Sequence, residues 1–245
     1  MANADKKDRR AVLDEMRATE KRGERMRGFA IVGVALLIGL LLIGAAAYRP
    51  IKDGLTAREA RNTAITDIGA AASACGDITT KKATGNQEHI PETEKGGYTD
   101  SPPAFGKHWN IWESMDKKFY RADERPPLEK LIHNQEHGFT ILWYDESIAD
   151  DSGKLDDVKA IAEKYAGTDN QRLKFMAVPW TKDDGKAFPD GQHVALTHWS
   201  VGGVGEDKTG DQVGVWQYCS APSGEAVRSF MEKYPYMDSP EPGAV

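Results

Sequence analysis

Cysteine is scarce in this chain: of 245 residues only Cys75 and Cys219 are cysteines. No haem-attachment C-x-x-C-H, phosphate-cradling loop or G-x-S-x-G nucleophile elbow occurs, so attached haem, nucleotide hydrolysis and the serine-hydrolase plan all lack their signatures. No internal repeat is visible. Methionine is sparse beyond residue 49, with four scattered residues, which leaves no thioether cluster for Cu(I). Charge is missing altogether from residues 28–48, "GFAIVGVALLIGLLLIGAAAY". About 20 apolar residues at ~1.5 Å each cross a hydrocarbon core of ~30 Å, so this run predicts one transmembrane helix. A signal peptide is the competing reading, with "AAA" at 45–47 as its cleavage site. Its apolar region is usually shorter, and it does not follow a charged preamble of 27 residues. A retained anchor is expected.

Orientation follows from the flanking cations. Residues 1–27 carry nine Lys/Arg against six Asp/Glu, with Arg22, Arg25 and Arg27 beside the span. That predicts a cytoplasmic basic helical tail whose run "RGERMRG" meets anionic lipid headgroups. Of the 32 Lys/Arg and 38 Asp/Glu in the whole chain, 23 and 32 then lie outside, a net charge of −9. An acidic exterior opposes nucleic-acid binding, which needs a basic face. It suits solubility, or steering of a basic partner. Cys75 and Cys219 fall on the oxidising side and read as a disulfide. Closing a loop of roughly 145 residues contributes at most ~5 kcal/mol by chain entropy. The bridge also removes thiolate from the available metal ligands.

Four regions are expected: the tail 1–27, the span 28–48, a stalk helix 49–75 and an extracytoplasmic α/β domain 76–242. Within the stalk, "TAREARNTAITDIGAAASAC" (56–75) has high helix propensity up to the first cysteine. Residues 76–125 lack periodicity yet hold Tyr98, Phe105, Trp109, Trp112, Phe119 and Tyr120. Aromatics at this density oppose disorder, so the segment reads as an ordered functional loop pinned by something. Beyond it, Pro126-Pro127 opens a short helix through His137, with Gly138 behind its end. "FTILWY" (139–144), "LKFMAVPW" (173–180), "HVALTHW" (193–199) and "GVWQY" (214–218) predict strands. "KLDDVKAIAEKY" (154–165) and "GEAVRSFMEKY" (224–234) predict amphipathic helices. The fold class is mixed α+β, a mixed sheet flanked by helices.

Candidate chemistry gathers in histidine. On the short helix, Leu128, Leu131, Ile132 and Gln135 share one face, while His133 and His137 stack on the other with Glu136 beside them. Two imidazoles at i, i+4 can chelate a cation; equally, they can face solvent or cap the helix end. His89 and His108 lie in the unpatterned segment, and a metal tying them to the helix would explain its order. The candidate metal residues are His89, His108, His133, His137 and Glu136, with Zn²⁺ or Cu²⁺ as the ion that suits imidazoles outside the cell. His193 and His198 read as packing or hydrogen-bonding residues. His133, Glu136 and His137 also spell H-x-x-E-H, a metalloprotease pattern. Gly138 ends the helix at once, and no later helix directs a third ligand to the site, so hydrolysis is the minor reading.

"EHIPE" (88–92), "SPPAFGKHW" (101–109), "LIHNQEHGFTILWY" (131–144) and "SPEP" (239–242) resemble a largely actinobacterial family of single-span proteins whose outer domain has no known function. The resemblance covers roughly residues 70–242 and falls on His89, Tyr98, Pro102, Pro103, Gly106, His108, His133, Asn134, Glu136, His137 and Gly138. Phe105 stands where the family commonly has serine, which removes a shared serine hydroxyl from any mechanism. The resemblance implies an accessory, non-catalytic subunit docking on a large membrane complex, with the respiratory cytochrome bcc–aa3 assembly as the expected partner. Gly28, Gly33, Gly39 and Gly44 would let the anchor approach another helix closely. An independent metal-dependent hydrolase is the alternative.

Overall fold

A computed structural model of the chain describes residues 2–85 and 87–243. Two units are present, residues 1–52 and 53–245. Helix α1 (Ala2–Asn62) contains the charge-free run, and its large apolar side chains from Phe29 to Ile43 are exposed. By length and composition it can cross a membrane, a property shared with signal sequences near an N-terminus.

The stalk helix expected to reach Cys75 stops at Asn62. Two 3-10 turns, Ile65–Asp67 and Ala72–Ala74, follow instead. The domain captures this segment. Ala70 N–H donates to Pro222 O at 2.8 Å, Gly224 N–H donates to Ile68 O at 2.9 Å, and Ile68 enters the core. Gly69 makes the close approach possible: its φ is +74°, and a Cβ there would lie 2.3 Å from Pro222 O. Tertiary contact overrides local helix propensity here. The folded unit therefore begins well before residue 76.

Its strands are β1 (Thr79–Lys82), β2 (His89–Ile90), β3 (His108–Trp109), β4 (Thr140–Tyr144), β5 (Phe175–Pro179), β6 (Val194–Ser200) and β7 (Val213–Cys219). Its helices are α2 (Leu128–Glu136), α3 (Glu146–Asp150), α4 (Ser152–Lys164) and α5 (Gly224–Lys233). A five-stranded mixed sheet runs in the order β1-β7-β6-β4-β5, with only β4 and β5 parallel. Both its faces are covered, and the strands alternate between them with the period of two that a pleat imposes. Leu142, Tyr144, Phe175, Val194, Leu196 and Val215 pack with Val158, Ile161, Val227 and Phe230 of α4 and α5. Ile141, Trp143, Met176 and Val178 face the other way, with Leu131 of α2. Trp199 and Trp216 join Ile132 and Phe105 in a neighbouring cluster on that side. Cys75 and Cys219 are bridged, which ties the captured segment to β7.

The segment 76–125 contributes β1 to the sheet edge and a separate two-residue parallel ladder, β2–β3, that aligns His89 with His108. Much of the rest is held by side chains of α2, and by β4, β5 and β7 through contacts such as Trp216 Nε1 to Pro102 O and Tyr120 N–H to Ala177 O.

Candidate metal centre

Helix α2 begins after Pro127 and ends against Gly138, whose φ of +91° and 2.3 Å approach of a notional Cβ to Tyr236 O admit no side chain. This fixes the helix end under the outer segment. The polar run His133-Asn134-Gln135-Glu136 is buried throughout. A solvent-facing or merely capping role for His133 and His137 does not survive their burial, each being 2% exposed. Each residue of the run holds one point of the loop. His133 Nδ1–H donates to Trp109 O at 2.5 Å, and Gln135 Nε2 donates to Pro103 O at 3.1 Å. Asn134 accepts from Glu113 N–H at 2.9 Å and donates to Glu113 O at 2.8 Å. Glu136 Oε2 lies 2.9 Å from His108 Nε2. These polar contacts tie four points of the aromatic loop to one helix.

His89, His108, His133 and Glu136 bring one ligand atom each within 4.8 Å of one another. A tetrahedral shell at ~2.0–2.1 Å per bond has ligand atoms roughly 3.3 Å apart, so a modest contraction would close it. His108 Nδ1–H donates to Gly106 O at 2.8 Å, and Tyr98 O–H holds the same turn through Lys107 O at 2.6 Å. With its proton committed at Nδ1, His108 presents an Nε2 lone pair, and that lone pair faces a carboxylate oxygen. Two acceptors at hydrogen-bond distance repel unless a cation, either a metal ion or an added proton, stands with them. His133 likewise commits its Nδ1–H to a backbone carbonyl, which leaves its Nε2 lone pair toward His137 Nε2 at 2.9 Å. Metal-bound imidazoles characteristically donate their second N–H in this way. Glu136 is fully buried and its Oε1 has no hydrogen-bond partner, an arrangement that a coordinated cation would offset.

His137 stands apart from this quartet. It belongs to an adjoining group with Glu136 and Glu241, its Nε2 lying 2.9 Å from His133 Nε2 and 3.7 Å from Glu241 Oε2. Burial lowers its pKa to about 4, with the neighbouring His133 as the second cause. Burial likewise lowers that of His133. At neutral pH both therefore keep lone pairs for a metal. Trp112 lies over the two rings, with centroid distances of 5.2 and 5.1 Å, and Trp199 meets the edge of His108 at 5.9 Å. Only His89, its side chain 39% exposed, opens the quartet to solvent.

Sequence reasoning missed Glu241 and the carbonyls of Gly106 and Trp109. Glu241 reaches the site because its N–H donates to Glu136 O at 2.9 Å; its one sequence signal was its place in "SPEP", which carries no chemistry of its own. His193 and His198 lie elsewhere, bonded to Asp145 and to Asp238 O respectively.

No curated protein and no solved structure is detectably similar to the chain. A family model does match, spanning the quartet, the adjoining group and every strand from β2 onward: over residues 89–245 the chain belongs to the family described as "Protein of unknown function (DUF3105)".

Proposed function

We propose that this is a membrane-anchored extracytoplasmic protein whose domain binds one Zn²⁺ or Cu²⁺ ion through His89, His108, His133 and Glu136. In this reading it serves a larger membrane assembly as a non-catalytic subunit. One observation carries the metal reading: His108 Nε2 lies 2.9 Å from the buried Glu136 carboxylate while the Nδ1 atoms of both His108 and His133 are committed to backbone carbonyls. Three imidazoles and a carboxylate suit either ion. A hydrolytic H-x-x-E-H needs its glutamate held off the ion with water between them. Glu136 Oε2 lies instead within 2.9 Å of His108 Nε2, which supports a structural or metal-carrying role over a hydrolytic one.

The charge-free helix with arginines on its N-terminal side supports an anchor with the domain outside the cytoplasm, and the disulfide suits that compartment. Docking on a respiratory assembly of the bcc–aa3 type rests on the family resemblance and on the glycines of the anchor. Elemental analysis of the full chain, purified in detergent without chelators, tests the metal. We expect bound zinc or copper in the native protein and its loss in His108→Ala. Metal-free protein after growth with both ions would overturn the reading. Native electrophoresis after mild extraction tests the docking: co-migration with a large complex is expected, and a free monomer would contradict it.

A further inference from the structure

We infer that the centre holds two ions, the second taken by His137 and Glu241 with Glu136 as the shared carboxylate. The inference rests on the metal reading above and extends it. The first observation is positional. Glu136 belongs to both groups of potential ligands, and the ligand atoms of Glu136, His137 and Glu241 lie within 4.8 Å of one another. The second is chemical. Glu136 directs Oε2 toward His108 and His89, while its Oε1 is buried with no partner. A carboxylate with one oxygen spent and one spare is equipped to bridge, and bridged pairs of ions lie ~3.5–4 Å apart.

His137 supplies the third observation. It is 98% buried by its 2% exposure, and its Nδ1 also lacks a partner. Without metal, the contact between His133 Nε2 and His137 Nε2 at 2.9 Å is satisfied when His137 Nε2–H donates to the His133 lone pair. An ion in the quartet consumes that lone pair. The His137 N–H then loses that acceptor and is left facing carboxylates, Glu241 Oε2 at 3.7 Å and the shared glutamate, where a cation is favoured. Moving the proton to Nδ1 turns Nε2 into a ligand facing two carboxylates. A second ion there would take the place of that proton, between one imidazole nitrogen and two carboxylates.

The two positions differ in kind. The quartet supplies four protein ligands, the closed set typical of structural sites. The second position has three and keeps a coordination place open. Beside His137 lies a cavity of about 210 Å³ lined by Trp112, Met115, Phe139 and Lys174 among others. Glu241 is also the most accessible member of the pair, its side chain 43% exposed. The second ion is accordingly the exchangeable one, suited to being passed to or received from another carrier, while the first holds the loop on α2.

Zinc titration of the chelator-stripped full chain in detergent, read as ions per chain after desalting and by competition with a chromophoric chelator, tests this. We expect two Zn²⁺ per wild-type chain, the second released at least tenfold faster, and one Zn²⁺ in Glu241→Ala with an unchanged melting temperature of the stripped protein. Wild type and Glu241→Ala both binding one ion would overturn the second site and leave the first. Two ions in both proteins would remove Glu241 from the centre and overturn the inference. Binding of none by wild type would overturn the metal reading itself.

Discussion

An imidazole nitrogen and a carboxylate oxygen 2.9 Å apart make His108 and Glu136 a sensitive probe of the centre. In Glu136→Gln the amide can donate to His108 Nε2, relieving the clash of acceptors, while the charge that attracts a cation is gone. The stripped variant should melt at or above the stripped wild type, by up to about 1–3 kcal/mol of stability, and should gain no stability from added zinc. If an imidazolium–carboxylate pair were the resting state, the same substitution would break it and lower the melting temperature. His198 provides a second residue-scale test away from the centre. It is fully buried, with Nε2–H donating to Asp238 O at 2.6 Å, and burial lowers its pKa. Its contribution is therefore complete above the ordinary histidine value of ~6.5 and is lost as pH falls below it, because the unfolded chain takes up the proton first. The fall in melting temperature between neutral and mildly acid pH should be smaller in His198→Gln. At this scale the sequence already brought forward His89, His108, His133 and Glu136. Histidine, at six residues, is rare enough here to be noticed, and His133 shares a helix with Glu136. Glu241 was hidden because only the chain's return past α2 brings it near.

Among the elements, α2 carries the widest responsibilities. Four consecutive polar side chains hold a segment that has little strand or helix of its own. Asn134 does so with two hydrogen bonds to the backbone of Glu113. Asn134→Ala should release the stretch around residues 109–116, seen as faster amide exchange there, at a cost of about 1–3 kcal/mol for the buried groups left unpaired. Gly138→Ala should be worse. It adds backbone strain of order 1–3 kcal/mol to a direct collision with Tyr236 O, and should lower both the yield of folded protein and its metal content. Strands β4 to β7 and helices α2, α4 and α5 were legible in the sequence, whereas β1, β2 and β3 were not. Val158, Ile161 and Ala162 on α4 sit in the core as their spacing requires. The order of residues 76–125 was legible only as aromatic density, because its partners are polar groups distant in sequence. The expected stalk helix failed for a related reason. Alanine-rich sequence favours a helix locally, but Gly69 lets the chain fold against Pro222 and deliver Ile68 to the core.

For the whole molecule, the bridge between Cys75 and Cys219 joins the captured segment to β7 across a sequence separation of 144. A loop of that size contributes up to ~5 kcal/mol by chain entropy, so the double variant Cys75→Ser/Cys219→Ser should lose about 2–5 kcal/mol. Chemical unfolding with and without reductant checks this. The covered sheet, the bridge and the buried polar helix all serve to hold four ligand-bearing side chains at one point, and a metal ion is what those side chains suit. Metal-edge X-ray absorption on the full chain, loaded with one equivalent of zinc or copper, tests that claim most directly. A shell of nitrogen and oxygen at ~2.0–2.1 Å, with outer scattering from three imidazole rings and no sulfur, is the predicted result. An ion surrounded by water or carboxylate oxygen alone, without imidazole scattering, would contradict it.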